Sequence, residues 1–167
     1  MRRRTLFRWI FYAGAALLLA LLQGTVLNRL VFWGTHPFLL PSLAAVAAAF
    51  ETRREGFIFG AVLGLFSDLM VPGPIPCFYL LALSFTALLS SLISRRLVMP
   101  GLVCSLLCSA AGNLLTGLLY ALCFLYSHPL PLSTLGLMMA KELLLTLPFY
   151  FLVHWLYRWV HLTFRRD

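Results

Sequence analysis

The sequence has little charge. Charged residues make up 11% of its 167 residues and hydrophobic residues 62%, with a mean hydropathy of +0.93. A soluble domain of this length carries charges at about a quarter of its positions. The shortage therefore excludes an ordinary soluble domain and indicates a chain embedded in a membrane. We expect residues 1–167 to form a single membrane domain, without a separate extramembrane domain.

Clusters of catalytic or metal-binding residues are also lacking. The four histidines do not form a ligand cluster on any predicted helix. Cys104 and Cys108 share a helix face, but no histidine or acid stands beside them to complete a metal site. No serine has the surroundings of a nucleophile elbow, and no glycine-rich phosphate loop is present. We therefore expect no catalytic residues, no metal and no cofactor, and we interpret these cysteines as buried small hydrophobic residues.

What the sequence does contain is a series of apolar runs. They predict an all-α integral membrane protein with six transmembrane helices, because a helix needs about 20 apolar residues to cross a bilayer. The spans run at about 9–27, 38–50, 57–71, 77–93, 100–126 and 134–156. The second and third spans are short, so they form either a tight helical hairpin or a re-entrant pair.

The basic residues lie in short clusters between the apolar runs. With six spans and an internal amino terminus, eleven of the 13 lysines and arginines lie on the inner side. Only Arg29 lies outside, and Lys141 lies within a span. This asymmetry predicts that both termini are cytoplasmic. It also accounts for the net charge of +8 without nucleic acid as a partner.

Small residues recur at a spacing of four in several spans. Gly56, Gly60 and Gly64 are followed at that spacing by Asp68, so a helix places all four on one face. The same spacing recurs in the first span at Ala16, Ala20 and Gly24, and in the fourth at Ala82, Thr86, Ser90 and Ser94. Helices in lipid associate through close packing of such faces. We expect these faces to pack inside the bundle, and the stripe of the first span to offer a docking groove for a partner.

Asp68 is a carboxylate within a span, which is costly unless another group pairs with it. It lies about one turn from the outer end of the third span, at a depth similar to that of Lys141 and Glu142 in the sixth. We expect intramembrane polar pairing among these three residues and Asn113, centred on an ion pair between Asp68 and Lys141. In the alternative, Lys141 extends to the interface, and Asp68 is protonated or bonded to Asn113 or Asn28.

Segment 56–69, with its glycine spacing and its aspartate, resembles the corresponding segment of the rod shape-determining protein MreD family. Residues 36–40, His-Pro-Phe-Leu-Leu, resemble the proline-led start of that family's second span. Residues 78–83 and the basic turn at 95–97 are similar to the span and turn that follow the aspartate. One departure is Ile75-Pro76, which stands where the family usually has a glycine before the fourth span.

The resemblance implies a non-enzymatic scaffold in the bacterial cytoplasmic membrane. MreD-like proteins act in the cell-wall elongation complex and support lateral peptidoglycan synthesis and rod shape. The implied partners are MreC, the actin-like MreB filament, a SEDS glycosyltransferase and a class B penicillin-binding protein, with membrane lipid around the helices.

The fold implied by the resemblance is similar to that of the vitamin-binding subunits of energy-coupling-factor transporters. That similarity supplies an alternative function, the substrate-binding membrane subunit of a vitamin or metal-ion importer. Such a subunit needs an outward pocket with converging polar groups, and the candidates in this sequence are Asp68, Asn113, Lys141 and Glu142.

Overall fold

The structure, a computed structural model, describes residues 2–25, 29, 34–35, 37–71, 73–96, 101–127 and 132–165. The described residues fold into six α-helices, which confirms the all-α class. The helices are α1 (Arg2–Thr25), α2 (Leu40–Phe50), α3 (Arg53–Met70), α4 (Phe78–Arg96), α5 (Leu102–Ser127) and α6 (Leu132–Arg165).

Three of the helices, α4, α5 and α6, contain segments long and apolar enough to cross a membrane. These segments are Phe78–Arg96, Leu102–Leu125 and Gly136–Val160. Their length and composition support a membrane protein. The path of all six predicted spans and the cytoplasmic placement of the termini stay predictions.

α2 is the central helix of the bundle. Ten of its 11 residues, from Leu40 to Ala49, are buried. At 1.5 Å per residue it is about 16 Å long, well short of the ~30 Å hydrocarbon core of a bilayer. Helices α3, α4, α5 and α6 all pack against it. A short helix is tolerated at this place because protein, rather than lipid, surrounds its ends.

The exterior of the bundle is apolar and its interior carries hydroxyl groups, the reverse of a soluble protein. Leu69 is 81% exposed, and Val62 and Trp155 are exposed as well. In contrast, Ser67 and Thr86 are buried, and each donates its hydroxyl hydrogen to the backbone carbonyl four residues earlier. Such bonds within a helix let hydroxyl groups lie between helices without an unsatisfied donor.

The predicted small-residue faces pack as expected in α3 and α4, but only partly in α1. All four stripe residues of α4 are buried, as are the three glycines of α3. Ala16 is buried and Ala20 packs against the main core, but Gly24 is exposed with nothing within 4 Å of its Cβ position. Gly24 therefore does not pack inside the bundle, because α1 lies mainly against α6 and touches α2 only slightly. The docking groove expected at this stripe stays a prediction.

The buried cysteines behave as small core residues. Cys104 and Cys108 are fully buried and free, with their Sγ atoms 3.9 Å apart. They pack with Ala45 and Ala49 of α2. This confirms the interpretation of the two thiols as buried small hydrophobic groups.

Candidate functional site

The glycine face of α3 brings two neighbouring helices into close approach. A Cβ atom on Gly56 would lie 2.8 Å from the Cα atom of Ala48 in α2. On Gly60 it would lie 2.8 Å from the carbonyl oxygen of Leu83, and on Gly64 2.5 Å from that of Tyr79, both in α4. Real Cβ atoms essentially never come so close. Glycine at these positions is therefore what allows α3 to lie against the backbones of α2 and α4.

Asp68 continues this face and binds the beginning of α4. Its Oδ1 accepts a hydrogen bond from the backbone N–H of Tyr79, and its Oδ2 accepts one from Leu80, both at 2.9 Å. The first N–H groups of any helix lack partners within the helix, and the helix dipole makes them attractive to a negative charge. Asp68 therefore caps α4 from a different helix.

The remaining N–H groups in the first turn of α4 are bonded locally. Phe78 donates to the carbonyl of Ile75 at 3.2 Å, and Leu81 donates to the carbonyl of Cys77 at 3.3 Å. Cys77, which precedes the helix, has a φ of 60°, a conformation that is uncommon outside glycine. With Tyr79 and Leu80 bonded to Asp68, all four orphan donors of this helix end have acceptors.

The expected ion pair between Asp68 and Lys141 is not what the structure contains. Both carboxylate oxygens of Asp68 bind backbone amides, and within the described ranges no ion pair joins it to Lys141. The physical reason is that two N–H groups at a helix start provide the hydrogen bonds and positive potential that a lysine was expected to supply. The prediction of a partner was correct, and the identity of the partner was wrong.

Gln23 makes a junction of the same kind at the start of α2, and this residue was not among the predicted site residues. Its Nε2 donates to the carbonyl of Pro37 at 2.7 Å, and its Oε1 accepts from the N–H of Leu39 at 2.9 Å. Gln23 belongs to α1, and its two bonds hold the entry to α2. The sequence offered one signal that is not periodic, because Gln23 is the only amide side chain in the apolar run 9–27.

Asn113 and Glu142 lie together, as expected, around a polar cavity of about 280 Å³. Asn113 uses its Nδ2 group to donate to the carbonyl of Ser109 at 3.1 Å and to the hydroxyl of Tyr150 at 2.8 Å. Lys141 is half-buried and is not part of the lining. The cavity is adjacent to the capped end of α4, since Tyr79 lines it as well.

The opposite end of the α5–α6 pair is joined by His154. Its Nδ1 lies 2.7 Å from the hydroxyl oxygen of Ser105, and that hydroxyl donates to the carbonyl of Gly101. Over the part of the chain that the structure describes, no three His, Cys, Asp or Glu side chains are grouped so as to hold a metal ion.

The described part of the chain is all-helical, and two polar side chains, Gln23 and Asp68, each hydrogen-bond the backbone at the start of the next helix. Comparison with family models, with curated proteins and with solved structures finds no match. Its function is therefore inferred from its own residues and their geometry.

Proposed function

We propose that the chain is an MreD-like, non-enzymatic scaffold of the bacterial cell-wall elongation complex. The observation that carries this proposal is the junction of α3 and α4. The glycines and Asp68, which carry the resemblance to MreD, are used here for close packing and for capping the next helix. In this proposal these residues stabilise the packing of the helix bundle, and none of them takes part in catalysis.

The proposed setting follows the resemblance and the charge distribution. In this proposal the chain crosses the bacterial cytoplasmic membrane with both termini inside, where the arginine clusters lie. Its partners are MreC, the actin-like MreB filament, a SEDS glycosyltransferase and a class B penicillin-binding protein. The resemblance to the family implies a fold similar to that of the vitamin-binding subunits of energy-coupling-factor transporters.

Depletion in the native host tests the proposed role. Loss of the chain should widen and round the cells, because lateral wall synthesis would lose its organisation. The wild-type chain and the Gly14→Ala variant should restore normal cell width, since nothing lies within 4 Å of the Cβ position at Gly14. The Gly64→Ala variant should restore it less well at equal protein level. Cells that keep their shape through depletion would contradict the proposal.

Partner capture provides a second test. After mild detergent extraction, the wild-type chain should co-purify with MreC. A variant with Asp68→Ala should retain less MreC at equal yield, because the start of α4 loses its cap. Recovery of the chain without any elongation protein, under conditions that keep the other members together, would count against a scaffold.

The substrate-binding subunit of an importer is a second candidate, and the polar cavity is the observation that favours it. Such a subunit needs converging polar groups, and Asn113 and Glu142 meet at one cavity with Thr116 and two tyrosines. Depletion would then produce a nutrient requirement in cells of normal width. The same depletion experiment therefore separates the two functions.

A further inference from the structure

The cavity lined by Asn113 and Glu142 has the position of a ligand site. It lies at the end of the bundle where α2 and α4 begin and α3 ends, next to Phe38, Val71 and Tyr79. Its volume of about 280 Å³ is close to the lower limit of ~300 Å³ for small-molecule pockets. An occupant would therefore be small.

Asn113 and Thr116 offer the cavity acceptors rather than donors. Asn113 is 8% exposed and has both Nδ2 hydrogens bonded, while its Oδ1 is buried without a hydrogen-bond partner in the described part of the chain. Thr116 donates its hydroxyl hydrogen to the carbonyl of Gly112 at 2.9 Å, so it presents lone pairs. A buried acceptor without a donor costs about 1–3 kcal/mol in general, so the site favours an occupant that carries N–H or O–H groups.

The charge of the cavity comes from Glu142. Its carboxylate has no ion-pair or hydrogen-bond partner among the residues that the structure describes, and the lining contains no lysine or arginine. An unpaired carboxylate inside a membrane protein is costly and commonly marks a functional position. The electrostatics therefore favour a cation and disfavour an anionic ligand.

The rest of the lining suits an organic cation better than a metal ion. Phe38, Tyr79 and Tyr120 contribute aromatic rings, which attract ammonium groups through their negative faces. Among the lining residues that the structure describes, Glu142 is the only carboxylate, whereas Ca²⁺ and Mg²⁺ need several oxygen ligands. We propose that this cavity binds a small organic ammonium group, with Glu142 as its counter-ion and Asn113 Oδ1 and Thr116 Oγ1 as its hydrogen-bond acceptors.

Two sources can supply this ammonium group, a soluble amine or the headgroup of an amine-bearing lipid. The inference concerns only the cavity, so it holds for the scaffold and for the importer subunit alike. Its test is a binding measurement on the purified full chain, whose result does not depend on cell shape or on nutrient uptake. Failure of the binding test would leave the proposed scaffold role standing.

The soluble source is tested by thermal unfolding of the detergent-solubilised protein with ethanolamine and 2-phenylethylamine. Their uncharged counterparts, ethylene glycol and 2-phenylethanol, are the matched probes. An amine should raise Tm in a saturable manner, and its counterpart should not. Glu142→Gln should weaken the apparent affinity at least about tenfold, since a hydrogen-bonded charge is lost. Lys141→Gln is the control, because Lys141 is adjacent in sequence but does not line the cavity.

The lipid source is tested by native mass spectrometry of the protein released from nanodiscs. Phosphatidylethanolamine should remain bound to the wild-type chain in preference to phosphatidylglycerol, and Glu142→Gln should abolish the preference. Thr116→Val is a second variant, chosen because its hydroxyl donates to the carbonyl of Gly112 in the same helix, so its loss should leave the fold intact. It should weaken whichever amine binds.

The two arms together decide the proposal. A Tm shift without retained phosphatidylethanolamine assigns the site to a soluble amine, and retained lipid assigns it to a headgroup. The proposal is overturned if neither arm shows amine-dependent binding. It is also overturned if the uncharged probes act as strongly as the amines, or if Glu142→Gln binds like the wild type.

Discussion

At the scale of single residues, Asp68 illustrates how a charge is kept inside an apolar bundle. Each of its oxygens accepts one backbone N–H at 2.9 Å, and both donors belong to the first turn of one helix. Hydrogen bonds to a charged group contribute about 1.5–3 kcal/mol, and a helix start adds ~0.3–1 kcal/mol for an anion. The carboxylate is thus stabilised without a basic side chain.

Replacing Asp68 by asparagine tests this cap. Asparagine keeps one acceptor, but its NH₂ group faces an N–H donor, so one bond and the charge are both lost. We expect the free energy of unfolding to fall by about 2 kcal/mol. The measurement is denaturant unfolding in detergent, with Lys141→Met, a change at a half-buried position of α6, as the control.

A double-mutant cycle distinguishes the cap from the ion pair. If Asp68 is bonded only to the α4 backbone, the effects of Asp68→Asn and Lys141→Met should add within about 0.5 kcal/mol. Unfolding of the two single variants and the double variant in the same detergent provides the comparison. A coupling energy above ~1 kcal/mol would instead support direct pairing with Lys141.

Gln23 makes a comparable prediction at the entry to α2. Gln23→Leu keeps the side-chain volume but leaves the Leu39 N–H and the Pro37 carbonyl without partners in a buried place. We expect a loss of about 2 kcal/mol in the free energy of unfolding. Leu22→Ala, a change at the neighbouring half-buried position, serves as the comparison, and an equal or smaller cost for Gln23→Leu would contradict the assigned role.

At the scale of elements, α3 and α4 form one rigid antiparallel unit. The capping box of Thr52 and Glu55 fixes the start of α3, and the glycine face then lies on α2 and α4 in succession. Asp68 closes the far end by binding the start of α4. The capping box, the glycine packing and the Asp68 hydrogen bonds thus position α3 along its whole length.

The cost of replacing a helix glycine by alanine, measured as unfolding free energy, should depend on the position of that glycine. Gly64→Ala places a methyl group against the α4 backbone, and we expect a cost of about 1–3 kcal/mol in unfolding free energy. Gly14→Ala, also in a helix but with open space around it, should be neutral or slightly stabilising. Parallel unfolding of the two variants in one detergent checks the contrast, and equal effects would refute it.

The packing of the α3 glycines could be predicted from the sequence, but the hydrogen-bond partners of Asp68 and Gln23 could not, for physical reasons. A spacing of four defines a helix face, so the packing of Gly56, Gly60 and Gly64 was predictable. The partner of Asp68 was not, because every residue carries an N–H, and only the loop between α3 and α4 determines which two come close. Gln23 gave no periodic signal, since it occurs once in its run.

At the scale of the whole molecule, the polarity of the bundle is inverted relative to a soluble protein. Large apolar side chains such as Leu69 cover the outside, while serine, threonine and asparagine lie within. The spacing of the small and polar residues predicted that their faces lie inside the bundle. The polar cavity was harder to foresee, because Phe38, Tyr79, Asn113 and Glu142 come from distant parts of the chain and meet only after folding.

The native cysteines offer a test of the predicted orientation. Cys77 is exposed next to the start of α4, at the end predicted to be extracytoplasmic, whereas Cys104 and Cys108 are buried. Cys123 is partly buried, so the test uses a Cys123→Ser background. In intact cells a membrane-impermeant maleimide should then label Cys77, and adding Cys77→Ser should abolish that labelling. Labelling that requires an opened membrane would reverse the orientation.

A matched probe marks the other side. Arg95→Cys, introduced together with Cys77→Ser, places a thiol at an exposed position near the end of α4. It should react only after the membrane is opened, because the arginine clusters are predicted to be cytoplasmic. Reaction of both probes in intact cells would show that α4 does not cross.

The bond from Asp68 to the next helix also constrains biogenesis. The carboxylate of Asp68 is bonded by the backbone N–H groups of Tyr79 and Leu80. While the ribosome is still making α4, these two donors are not yet in place. In lipid the carboxylate would then lack a hydrogen-bond donor, which is costly. α3 and α4 should therefore leave the translocon as a pair. A glycosylation or protease reporter fused after Arg96 should record complete insertion of α3, and one fused after Pro76 should record only partial insertion.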